Sequence, residues 1–149
     1  MANLEEILVS EQVLQVPYSY SAGPVASRFL LALKEEKKIY GIWCAACNKV
    51  YVPPRATCGQ CQAEIKDWVP LSGQGRVESF AVVHYAESIQ PLPPPYVIAV
   101  IKLDGADTGF THLLGEVDEK KLKIGLKVEP VFARERKGHI LDIRYFKPI

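Results

Sequence analysis

Four cysteines carry the strongest chemical signal in this 149-residue sequence. Cys44 and Cys47 form one C-x2-C pair and Cys58 and Cys61 another, with ten residues between the pairs. Two residues between thiols let one tight turn aim both sulfurs at a single ion, and a second, facing pair completes a tetrahedron. The spacing therefore predicts a zinc ribbon with a four-thiolate site. Such a site is coordinatively closed, leaving no position for water or substrate, so its expected role is structural. It also uses every cysteine in the chain, which leaves no thiol to act as a nucleophile. An iron ion held by the same four sulfurs stays chemically open. Two disulfides would require an oxidising compartment that nothing in the sequence supports.

No second constellation of chemical residues stands out. His84 and His112 fall in predicted strands and His139 near a predicted hairpin tip, and a lone strand histidine is more often a spacer than a base. There is no Gly-x-Ser-x-Gly elbow, and Gly73-Gln74-Gly75 leads into a strand rather than a helix, so it is not a phosphate-binding loop. Glu87 and Asp104 flank a proline loop without a partner carboxylate at a spacing suited to acid–base work.

The elements that must position the cysteines follow from the hydrophobic pattern. Residues 1–23 mix apolar clusters (Ile7, Leu8, Val9; Val13, Leu14, Val16) with a turn-rich stretch at 17–23, and read as an extended arm. Residues 24–38 read as a helix: Pro24 suits its first turn, and Val25, Phe29 and Leu33, with Leu30 beside them, form one apolar stripe. That stripe packs either on the chain's own ribbon or on a partner. Residues 1–38 are thus an arm and amphipathic helix for partner docking, 39–70 the ribbon, and 71–149 a β domain. About thirty residues of ribbon cannot bury a sufficient core, so metal binding must supply much of its folding free energy.

The β domain reads as five strands, over 76–85, 96–103, 110–117, 128–133 and 140–146. The second is apolar enough for burial on both faces. A proline-studded loop at 90–95 separates the first two, and Asp118 caps a short helical turn between the third and fourth. Closure of a small sheet removes exposed edges, so the predicted fold is mainly β: arm and helix, zinc ribbon, then a five-stranded OB-fold barrel.

Composition narrows the function classes. Eighteen basic against 17 acidic residues leave a formal charge of +1, which gives no global attraction to nucleic acid or an anionic membrane. The acidic start lacks the pattern of an export signal, and no apolar run approaches the roughly 20 residues needed to cross a bilayer; a cytoplasmic protein without a membrane partner is expected. Both ribbons and OB barrels occur in nucleic-acid binders, and residues 119–149 hold nine Lys/Arg against four Asp/Glu. Tyr85, Phe110 and Tyr145 would have to be the stacking platform of such a binder. Near-neutral overall charge argues against it.

The order of helix, ribbon and barrel, with particular motifs in each, resembles one family. These are the acyl-CoA-associated OB-fold proteins with an N-terminal rubredoxin-like zinc ribbon. The likeness rests on residues 29–34 (FLLALK), the two cysteine pairs, 75–80 (GRVESF), 95–100 (PYVIAV), 114–117 (LGEV), and 124–128 (IGLKV) with Val131 and Phe132. It covers about residues 24–147. The resemblance implies an accessory subunit similar to the small zinc-containing subunits of thiolases such as benzoylsuccinyl-CoA thiolase. A thiolase-like catalytic subunit would carry the nucleophile in a hetero-oligomer, and the small chain would assemble the complex and shape its acyl-CoA site. The 18–24 stretch (YSYSAGP) resembles versions acting in breakdown of aromatic or steroid-like acids. Arg134, Arg136, Lys137 and Arg144 either meet the phosphates of a CoA thioester bound jointly with the partner or form a solvated hairpin face.

Overall fold

The computed structural model describes residues 9–90 and 92–149; Ile7 and Leu8 of the predicted arm lie outside them. One helix, α1 (Gly23–Glu36), precedes the strands β1 (Ile39–Cys44), β2 (Lys49–Tyr51), β3 (Asp67–Leu71), β4 (Gly75–Val83), β5 (Tyr96–Leu103), β6 (Gly109–Leu114), β7 (Lys127–Phe132) and β8 (Ile143–Pro148). Single 3-10 turns occupy Glu119–Lys121 and Ile140–Asp142. The first three strands form an antiparallel sheet in the order β2-β1-β3, and the other five close into a barrel in the order β4-β5-β6-β8-β7. The mainly-β architecture with a five-stranded barrel is thus as the sequence predicts.

Helix α1 lays its stripe inward. Phe29 and Leu33 are buried in one core with Ile39 and Val52 of the ribbon and Val77, Ile101, Phe110, Val128, Ile143 and Phe146 of the barrel. Burial of each of these two helix side chains is worth roughly 1.5–3 kcal/mol. The stripe therefore packs on the chain itself, the first of the two alternatives, and it reaches the barrel as well as the ribbon. Lys37, in the left-handed conformation at φ 55°, ends the helix with its N–H donating to the Ala32 carbonyl.

The turn between β5 and β6 stitches the two sheets together. Asp107 accepts from the Val50 amide at 2.7 Å, and the Thr108 hydroxyl accepts from the Val52 amide at 2.8 Å and donates to its carbonyl at 2.9 Å. These contacts satisfy the outer edge of β2, which no strand pairs.

Four local expectations are corrected. Residues 67–71 form a strand the hydrophobic pattern did not flag; β3 pairs with β1 from Ile39↔Leu71 to Trp43↔Asp67 and, as an edge strand, tolerates Pro70. Residues 140–142 are a 3-10 turn rather than strand, because the Asp142 carboxylate gathers the amides of Lys137, Gly138 and His139. The third barrel strand stops at Leu114, before Glu116 at φ 52°. His84 lies just beyond the end of β4. The proposed aromatic platform does not form: Phe110 is 1% exposed at the core, while Tyr85 is 66% exposed. Among the described residues no helix is long and apolar enough to cross a membrane.

Candidate metal centre

The first cysteine pair sits on a hairpin. Cys44 ends β1, the turn bends back through Asn48 in the left-handed region at φ 49°, and β2 begins at Lys49. The Trp43 indole N–H donates to the Asn48 side chain at 3.2 Å and braces the turn. The second pair sits on a smaller turn closed by amide bonds from Cys58 to the Ala63 carbonyl at 2.8 Å and from Gln62 to the Cys58 carbonyl at 3.1 Å. Ile42, Tyr51, Ile65 and the partly buried Trp68 pack around Cys44 and Cys58.

The two turns bring all four sulfurs within 4.8 Å of one another, and Cys44 Sγ lies 3.7 Å from Cys61 Sγ. A tetrahedral ion with metal–sulfur bonds of about 2.3 Å requires sulfurs about 3.8 Å apart. The cluster therefore fits an ion of that size with four thiolate ligands. All four candidate ligands, Cys44, Cys47, Cys58 and Cys61, are brought together.

Electrostatics of the cluster agree. The Cys58 thiol is pulled down to about 5, chiefly by the Tyr51 hydroxyl 3.1 Å from its sulfur and then by the backbone amides of Cys61 and Gln60. Cys47 is pushed up to about 12, first by its hydrogen bond with Cys61 and then by burial. On its own the cluster thus favours one thiolate and holds a neighbouring thiol protonated; a divalent cation is what lets several thiols ionise in so small a space. Tyr51 is the residue against the cluster that the cysteine spacing did not reveal. Its only sequence signal is a strand tyrosine seven residues before Cys58. The Arg55 guanidinium lies over its ring, 4.9 Å from the centroid.

The four basic residues assigned to CoA do not behave alike. Arg134 and Lys137 are exposed on the loop after β7, and Arg144 is exposed on β8 with its guanidinium 5.6 Å from the Tyr145 ring centre. Arg136 turns back toward α1: its Nε donates to the Lys34 carbonyl at 2.6 Å and its Nη1 to the carbonyls of Ala133 and Arg134. Two of the three histidines hold structure instead. Buried His112 lies with its Nε2 3.3 Å from the Ile140 carbonyl, and His139 caps the second 3-10 turn.

A family model described as the ChsH2 C-terminal OB-fold domain matches residues 68–133. A DUF35 domain-containing scaffold protein of Methanocaldococcus jannaschii is 34% identical over 122 residues, covering 78% of this chain and 86% of that protein. The benzoylsuccinyl-CoA thiolase subunit BbsA of Geobacter metallireducens is 33% identical over 78 residues, 52% of this chain and 51% of its own length. A solved structure titled Ltp2-ChsH2(DUF35) aldolase shares the fold, with a TM-score of 0.63 at 24% identity over 87% of this chain and 98% of that one. The resemblance read from the motifs is therefore to the right group: the chain belongs to the DUF35 domain-containing scaffold proteins.

Proposed function

We propose that this chain is a non-catalytic, zinc-binding accessory subunit of a thiolase-type complex acting on CoA thioesters. The observation that carries the reading is the convergence of all four cysteines on one point. A thiolase needs a nucleophilic thiol with an acid–base partner and an oxyanion hole, and a chain whose every thiol is committed to a closed site must take that thiol from another subunit. The names of its relatives support the choice of partner: one is a thiolase subunit and one belongs to an aldolase assembly.

In this reading zinc is the resident ion and holds the ribbon together, and the exposed residues 9–20 of the arm dock on the catalytic subunit. The ribbon (39–70) and barrel (71–149) frame the acyl-CoA site. Exposed Arg134, Lys137 and Arg144 would supply the contacts to CoA phosphates, whereas Arg136 serves α1. The cytoplasm is the compartment that keeps the four thiols reduced, and degradation of aromatic or steroid-like acids is the pathway class.

The test is affinity purification of the tagged chain from its native host, with mass spectrometry and metal analysis. Near-equal recovery of a thiolase-type protein and one zinc per chain is the expected result. Recovery of the chain alone, or with nucleic acid, overturns the subunit reading.

A further inference from the structure

The barrel carries an apolar face that its own chain leaves uncovered. Inward positions of β5 (Val97, Ala99, Ile101, Leu103) are buried, as the alternation of a half-buried strand requires. Its outward positions should then be polar, yet only Lys102 at one end is; the others are Tyr96, Ile98 and Val100. Residues directly opposite in an antiparallel pair share a face. On β4 the partners are Val83 and Ala81, and on β6 Ile98 faces Leu113 and Val100 faces Thr111. With Ser79 opposite Val100, eight outward positions on three neighbouring strands carry no charge, and six are apolar. Ala81 is exposed and the other five apolar side chains are only half-buried.

The face extends at one margin, and further exposed apolar side chains follow β4 in the chain. A shallow cleft continues it past Leu113 to Ile140 and Leu141, the latter 44% exposed. Beyond the end of β4, Tyr85 and Ile89 stand 66% and 92% exposed. Together these side chains offer apolar surface on the order of several hundred Å², the scale at which patches mark interaction sites. That approaches the roughly 800 Å² each partner contributes to a standard interface.

We infer that the outward face of β4, β5 and β6, centred on Ile98, is the seat of the catalytic subunit. This rests on the accessory-subunit reading above. A small ligand alone would not cover an open sheet face of this extent, and a nucleic acid would require basic groups that the eight positions lack. A second copy is a poorer complement. The projecting Tyr85 and Ile89 need an uncharged recess, while clefts elsewhere on the chain hold Arg28, Glu35 and Glu36, or Arg76, Glu78 and Lys102, and the more apolar one between 22–26 and 54–56 holds Arg55. A larger subunit with an uncharged recess matches what remains.

The experiment uses full-length chain co-expressed with the thiolase-type subunit recovered by the wild type. Ile98→Lys and Leu113→Lys, each checked for metal content and melting temperature, should weaken that association on the order of a hundredfold, since a charge is forced into a desolvated contact. A photo-crosslinking residue placed at position 98 should join the catalytic subunit, and one at exposed position 120 should not. The second experiment decides the matter even where a lysine variant fails to fold. Wild-type binding that survives both lysines, without a crosslink at 98, overturns the inference and leaves the accessory reading standing. A wild-type chain that recovers no thiolase-type subunit defeats both. A crosslink at 98 between two copies of this chain assigns the face to self-association and overturns the inference alone.

Discussion

The Arg136 side chain donates its Nε–H to the carbonyl oxygen of Lys34, 2.6 Å away and 102 positions earlier in the sequence. The last carbonyls of a helix have no intrahelical partner, and a cation there also favours the helix dipole. One guanidinium thus ties the end of α1 to the loop after β7. Arg136→Ala should destabilise the fold by about 1 kcal/mol, discounted for partial exposure, and lower the melting temperature by roughly 2–4 °C. Arg134→Ala, on the same loop but exposed, should leave the melting curve unchanged. Differential scanning calorimetry of the two variants separates a structural arginine from a surface one.

The Tyr51 hydroxyl should tune the metal site without creating it. Cys44→Ser or Cys61→Ser removes one of four ligands and is expected to release the ion and unfold the ribbon, because binding and folding free energy are linked there. Tyr51→Phe keeps all four sulfurs and the ring that packs against Arg55. It should retain one ion per chain with affinity about 10-fold to 100-fold weaker, the range for losing a hydrogen bond to a ligand. Competition with a chromophoric chelator measures the difference; unchanged affinity would show that the 3.1 Å contact does not bear on the ion.

Acid stability should report on Asp142. Its burial alone would raise the carboxyl pKa, but the amides of Lys137, Gly138 and His139 hold it below its ordinary 3.8. A carboxyl depressed in the folded state stabilises the fold fully above its unfolded value, and that contribution is lost as pH falls through the folded one. Wild-type stability should therefore show an Asp142 contribution that is flat above about pH 5 and declines below about pH 4. Asp142→Asn retains one acceptor oxygen and turns an amide group toward backbone donors, so it should cost about 2 kcal/mol at neutral pH. Its deficit should shrink on acidification, as urea melts across pH 3–7 would reveal.

The parts of this protein that were legible in its sequence are those fixed by local spacing. The paired C-x2-C motifs required one convergence point, and the short apolar, β-branched run over 96–103 required a strand. Three features escaped because their cause is tertiary. Helix α1 ends at a left-handed lysine, not a glycine, so no residue type marks the stop. Residues 67–71 are a strand only because β1 offers an edge, and a proline at position 70 disguises them. Residues 140–142 match a strand pattern, but Asp142 outbids it by satisfying three amides at once. The apolar run of β5 predicts burial on both faces; the fold buries Val97, Ala99, Ile101 and Leu103 on one and leaves Tyr96, Ile98 and Val100 half-buried on the other.

On the reading proposed above, the arm is where association should weaken without the fold being touched. Leu14, Val16, Tyr18 and Tyr20 alternate along it and are 87%, 61%, 80% and 80% exposed, so none adds to the chain's own core. The Ser21 hydroxyl, which accepts from the Gly23 amide at 3.2 Å, begins the part that supports α1. Deleting residues 9–20 should therefore leave zinc content and melting temperature unchanged while weakening binding of the catalytic subunit. Tyr18→Ala and Tyr20→Ala should each reproduce part of that loss, about tenfold apiece, since exposed tyrosines that become buried on binding act as anchors. Surface plasmon resonance with immobilised catalytic subunit would measure this. Equal affinity for the deleted and full-length chains would show that the arm has no part in docking.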